Sequence, residues 1–357
     1  MLETVIWIGL SQSLFAGIII AAKPKAQVQD KILSAWLFLL AIEFLSCGID
    51  FLLWGTPMLS SSFLLFNPAF YLYVKSLTTP NFKLQKLQLL HLTPYIVFEL
   101  STYILKQKFT LNDFFLSDSN QWFRYAFSIA SVISWIIYNY LSIIMVSKHR
   151  KKLENEFSAI QKENNLKWLL FLIIIYNLYC GFSLILGIVL VSAPNSIPPH
   201  YIYNYSALLI LIYIFGFYGL RQKRIFIPEK TNEISKEKYA KSVLTDARKS
   251  EIKNRIISFV EDTEAYLKPD INMTWLSNQT GIPKHNITEV LSTEMNKNFF
   301  GFINEYRVKK VKELLMRKND YSIEGIGYEC GFSSKSSFFT VFKSITGMTP
   351  SEYRKSD

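Results

Sequence analysis

Over its first 220 residues the chain alternates long apolar stretches with short polar connections; the remainder carries shorter apolar repeats at helical spacing. A hydrocarbon core of about 30 Å takes roughly 20 apolar residues of helix to cross. Runs of that kind occupy 2–22, 32–54, 58–77, 88–105, 122–147, 166–191 and 200–220 and predict seven membrane-spanning helices. Asn67 and Pro68 interrupt the third run and predict a kink, and the fourth run is short. Beyond Arg221 a stretch of mixed charge without an apolar run leads to a helix with Ile252, Ile256 and Phe259 on one face.

An internal repeat follows. Leu276-Ser277 and Gly281-Ile282 recur as Ile326-Gly327 and Gly331-Phe332, 50 positions later. Each copy reads as an apolar helix ending in a glycine that allows a sharp turn, then a second amphipathic helix. Ser277 and Gly327 are small where two such helices approach closely. The pattern predicts two helix-turn-helix units joined by a helix near 300–318. The fold class is therefore all-α, a seven-helix membrane bundle at 1–221, a linker at 222–250 and a cytoplasmic all-α domain at 251–357.

Charge sharpens this division. Residues 1–220 hold 25 charged side chains and the remaining residues hold 42, within a net charge of +11 that suits nucleic acid or an anionic membrane surface alike. Lys23, Lys25 and Lys31 follow the first run, Lys83 and Lys86 the third, and Lys148, Arg150, Lys151, Lys152, Lys162 and Lys167 the fifth. The alternate connections hold only Lys106 and Lys108, so the basic loops are expected inside, the N-terminus outside and the C-terminal domain in the cytoplasm of an inner membrane. The first run lacks a basic leader and a small-residue cleavage site, which predicts a retained span. Cys47, Cys180 and Cys330 are far apart and predict neither a disulfide framework nor a metal site.

The segment GYECGFSSKSSFFTVFKSITGMTPSEYRK resembles the C-terminal part of AraC/XylS-family transcription regulators. The likeness rests on Ile326, Gly331-Phe332, Phe338, Phe342-Lys343, Gly347, Pro350 and Tyr353-Arg354, and extends back through NFFGFINEYRVKKVKELL to about Tyr239. The membrane half, with its NPAFYLYVKSL segment, more weakly resembles seven-span sensors fused to such domains in some bacterial regulators. By resemblance, the first recognition helix presents His285, Asn286, Thr288 and Glu289, and the second Lys335, Ser336, Ser337 and Thr340. Lys284, Ser334 and Lys343 would then contact phosphates. Read from the residues alone, these are also what exposed positions on amphipathic helices look like. Relatives usually carry alanine at Ser277 and Gly327, glycine at Asn296, and a basic or amide residue at Glu289. Glutamate accepts from cytosine N4 but repels phosphates.

Inside the predicted spans, Glu43 and Asp50 lie seven apart on one helical face and Glu99 sits in the fourth run; ionisable groups at such positions are candidates for contact with a signal ligand. Asn67, Asn139, Asn177 and many tyrosines are candidates to line a polar cavity with them; the alternative for the carboxylates is interhelical hydrogen bonding or a headgroup position. HExxH, GxSxG and GKS/T signatures are absent from the sequence, so enzyme activity, cofactor and metal are not expected. The expected partners are promoter duplex DNA, the bilayer, a signal ligand, a second copy of the chain paired through its mixed-charge segment, and RNA polymerase. The competing class is a transporter or membrane enzyme with a protein-interaction tail. It predicts inverted repeats with matched helix breaks, and the sequence has one break, at Asn67-Pro68.

Overall fold

The computed structural model describes residues 2–24, 26–108, 117–158, 167–192, 200–221, 244–317 and 321–356. Among them every element is helical, two isolated β-bridges aside. The chain forms two compact units: Met1–Ser147 with Leu166–Ile227, and Lys148–Asn165 with Pro228–Asp357. Most of the expected linker, 222–243, lies outside the described residues, as do the connections 109–116 and 193–199 and the basic residue Lys162.

The first unit contains α1 (Leu2–Ala21), α2 (Val28–Trp54), α3 (Phe63–Thr78), a 3-10 segment (Lys86–Leu92) running into α4 (Thr93–Ile104), α5 (Gln121–Glu156) as far as Ser147, α6 (Lys167–Ser192) and α7 (His200–Arg221). Five of these, α1, α2, α5, α6 and α7, are long and apolar enough to cross a membrane. The runs at 58–77 and 88–105 do not appear as full-length helices: α3 has 16 residues and α4 has 12. At 1.5 Å per residue these reach about 24 Å and 18 Å. Local hydrogen bonding explains the shortfall. The Asp50 carboxylate takes the Met58 N–H (3.0 Å) and the Glu99 carboxylate takes the Ser61 N–H (2.9 Å), which holds the chain out of helix until Phe63. Pro94 sits in the first turn of α4, where its missing N–H costs nothing, with the 3-10 segment ahead of it. The helix α3 runs through Pro68.

Close packing of α1 on α2 requires Gly9, where a Cβ would lie 2.2 Å from the Phe44 ring. Deeper in, tilted rings pack together, with Trp36 4.7 Å from Phe215 and Phe70 4.8 Å from Tyr176 between centroids. Polar groups in this core pair with one another. Tyr176 donates to Asn67 (2.7 Å), Asn177 to Asn139 (2.9 Å), and the Trp135 indole to Asn177 (3.1 Å). The outer surface is apolar instead: Leu52, Ile104, Trp122 and Leu178 are 73%, 76%, 67% and 62% exposed.

The second unit contains α8 (Asp246–Asp262), a 3-10 turn (Ala265–Leu267), α9 (Met273–Thr280), α10 (Lys284–Glu294), α11 (Phe299–Arg317), α12 (Ile323–Glu329), α13 (Lys335–Thr346) and α14 (Pro350–Lys355), together with the last turns of α5. It has two apolar cores. Ile256, Leu276, Ile287 and Val290 fill the first, and Ile326, Phe332, Phe338 and Phe342 the second. The helix α11 belongs to both, giving Phe299, Phe302 and Ile303 to one and Val308, Val311 and Leu315 to the other.

Candidate nucleic-acid interface

Both copies of the sequence repeat fold alike. Gly281 at φ +68° ends α9 and Gly331 at φ +86° follows α12, so each turn uses the left-handed region that glycine enters without strain. Where the two helices of a copy meet, size is limiting. A Cβ on Gly327 would come within 2.6 Å of the Phe338 ring, while Ser277 fits and donates its hydroxyl to the Ile282 carbonyl at 2.7 Å. Asn296 adopts φ +51°, the left-handed conformation an asparagine tolerates. The Ser334 hydroxyl caps α13 by accepting the Ser337 N–H at 3.3 Å.

The candidate contacts divide by exposure. On α10, His285 is exposed and Lys284, Asn286 and Thr288 are half-buried. On α13 and its cap, Lys335, Ser336, Thr340 and Lys343 are exposed and Ser334 and Ser337 half-buried. Thr288 and Thr340 turn their hydroxyls back to the carbonyls of Lys284 and Ser336, at 2.8 Å and 2.7 Å. Lys335 pairs with Glu324, and Lys284 lies 3.0 Å from the Glu156 carboxylate. Glu289 stands apart from this set. It is 5% exposed, and its carboxylate faces Lys249 of α8 at 3.7 Å. The reason is that α8 packs against α10 and covers that side of the helix.

Residues 276–356 match the family model described as "Helix-turn-helix domain". The second unit carries an AraC-type helix-turn-helix domain. An uncharacterized HTH-type transcriptional regulator in the cgkA 5' region of Pseudoalteromonas carrageenovora is 29% identical over 86 residues, 24% of this chain and 50% of the relative. The xylose operon regulatory protein of Haemophilus influenzae is 37% identical over 71 residues, 20% of this chain and 18% of the relative. The chain thus spans half the length or less of these curated relatives. A solved protein of unknown function from Listeria innocua is 30% identical, with 29% of this chain and 94% of that one covered and a TM-score of 0.26.

Arg307 was not among the residues the sequence marked. It is fully buried on α11, where its guanidinium donates to the Tyr266 carbonyl at 2.7 Å and the Lys268 carbonyl at 2.8 Å. Burial pushes its pKa down to about 10, which leaves it charged at neutral pH. The available signal was its spacing: Arg307 falls four residues from both Ile303 and Val311, on the apolar face of the helix.

The three candidate ligand-sensing carboxylates of the first unit are all hydrogen-bonded. Besides the Met58 N–H, Asp50 accepts from the Tyr103 hydroxyl at 3.2 Å. Glu43 lies in the apolar core and accepts from the Tyr205 hydroxyl at 2.9 Å. Asp50 and Glu99 therefore hold backbone at the start of α3, whereas Glu43 joins α2 to α7 through a side chain alone.

Proposed function

We propose that the chain is a one-component transcription regulator, held in a membrane by its first unit and reading promoter DNA with its second. The observation that carries this reading is the pair α10 and α13, each set by a glycine turn, each exposing polar side chains, and both seated on α11. The 19 residues of α11 span about 28 Å, and flanking turns bring the two helices within reach of the roughly 34 Å of one DNA turn. His285, Asn286 and Thr288, with Lys335, Ser336, Ser337 and Thr340, face base edges in this reading; Lys284, Ser334 and Lys343 face phosphates. Glu289 is left to packing against α8.

The exposed apolar surface of the first unit supports a bilayer around it, since in water such surface costs about 25 cal/mol per Å². Seven crossings remain the reading that the alternating basic loops support, with the domain boundaries near 221 and 251. The 3-10 segment and α4 together cover about 32 Å, taking 2.0 Å and 1.5 Å per residue. The N-terminus then lies outside and the second unit in the cytoplasm of an inner membrane. Signal enters among the spans, with Glu43 and Tyr205 as the contact, and the remaining partners are a second chain and RNA polymerase.

Two substitutions test the reader. Lys335→Ala relaxes sequence preference by the roughly 1–3 kcal/mol of a base contact, and Lys343→Ala weakens all duplexes alike and flattens the salt dependence by about one phosphate. Binding of selected and scrambled duplexes is measured on the full chain in lipid nanodiscs across a salt series. Loss of the same affinity on every duplex for both variants would contradict the assigned roles.

A further inference from the structure

The last turns of α5 and the two residues after them form part of the second unit, seated on its first helix-turn-helix copy. Leu153 and Ser158 are buried there. Ser158 is held on every side: its hydroxyl donates to the Ile271 carbonyl at 2.8 Å, and its own carbonyl accepts from Asn304 at 2.9 Å and from Arg307 at 3.4 Å. Phe157 pairs with Asn272 in an antiparallel bridge. Glu154 accepts from the Asn298 amide at 3.2 Å. Glu156, 12% exposed, accepts from the Thr274 hydroxyl at 2.8 Å and lies 3.0 Å from Lys284 Nζ.

The position of Glu156 is informative. Thr274 lies in the first turn of α9, and Lys284 is the first residue of α10. A helix start brings unpaired N–H groups and a positive dipole end, and a hydroxyl and an ammonium there make a site for an anionic oxygen. Helix N-termini are among the groups through which a DNA-binding unit contacts phosphates. A carboxylate of this chain holds the groups that a phosphate would use. The helix delivering it runs unbroken from Gln121 to Glu156, so its far end belongs to the first unit.

We propose that residues 148–158 act as an internal latch, in which Glu156 takes a phosphate's place at Thr274 and Lys284 and keeps the first helix-turn-helix copy off DNA until α5 is withdrawn. This rests on the DNA-reading function proposed above. The latch and the duplex compete for the same groups, so loosening one strengthens the other. In the latched state the second copy, on α12 and α13, keeps weak hold of DNA.

The test uses the full chain in lipid nanodiscs and a fluorescent random-sequence duplex of about 40 base pairs, long enough for two half-sites one turn apart. Glu156→Gln removes the charge that occupies the phosphate site and tightens binding by about three- to tenfold; unchanged or weaker binding overturns the latch. In a second arm Glu154→Cys and Asn298→Cys are joined by a short bis-maleimide, the three native cysteines being buried. The joined chain binds the duplex at least about tenfold more weakly than the same chain capped with a mono-maleimide. Equal binding by both forms, or failure of the two positions to join, overturns it as well. If Glu156→Gln, joined and capped chains all leave the duplex unbound while remaining folded, the DNA-reading function itself fails, a result distinct from equal and measurable binding.

Discussion

An Arg307→Ala chain is expected to lose about 3 kcal/mol of stability in its second unit, a shift of more than roughly a hundredfold in the local opening equilibrium. The guanidinium does two jobs from one buried position. It satisfies the carbonyls of Tyr266 and Lys268, which close the 3-10 turn after α8, and it packs over the Phe332 ring that begins the turn of the second copy. Alanine leaves both carbonyls without a charged donor and opens a cavity between the two cores. Native-state hydrogen exchange of the α11 amides in the full chain measures this, with protection falling along the whole helix. Protection unchanged at Val308 and Val311 would mean that the two copies are stable without their shared charge.

Gly331→Ala is expected to cost about 2–4 kcal/mol through two separate effects. The residue sits at φ +86°, where a side chain is strained. Its Cβ would also lie 2.7 Å from the Tyr266 carbonyl oxygen and 2.8 Å from that of Leu267, and the Tyr266 oxygen is already fixed by Arg307. Gly347→Ala separates the effects, because Gly347 has φ +81° but open space around its missing Cβ. It should cost only the conformational part, about 1–2 kcal/mol. Hydrogen exchange in α12 and α13 reads both; equal losses for the two variants would show that the contact with the 3-10 turn carries no energy.

The parts of this fold legible in the sequence are those set by local chemistry. The glycine pair at 281 and 331 and the small pair at 277 and 327 mark two turns and two close approaches that the backbone realises. The five longest apolar helices follow equally from run length. Hydropathy does not register the point at which a helix starts, so it overextends α3 across Met58–Ser62, where carboxylates on α2 and α4 capture backbone N–H groups. Distant partners are invisible for the same reason. Glu289 is covered by Lys249 of a helix 40 positions away, and the segment ending at Ser158 fits a pocket built by Ile271, Asn304 and Arg307. In sequence that segment reads only as the continuation of a basic loop.

A chain that both sits in a membrane and selects promoter sequences is best checked by a genome-wide occupancy map of the full chain, taken from cells in which it fractionates with membranes. The expected map holds a small set of discrete sites upstream of genes, each with two short motifs about one DNA turn apart, and the sites are lost in a Lys335→Ala, Lys343→Ala chain that remains in the membrane. A flat map from a folded, membrane-inserted chain, or sites that persist unchanged in the double variant, would rule out promoter selection by this chain.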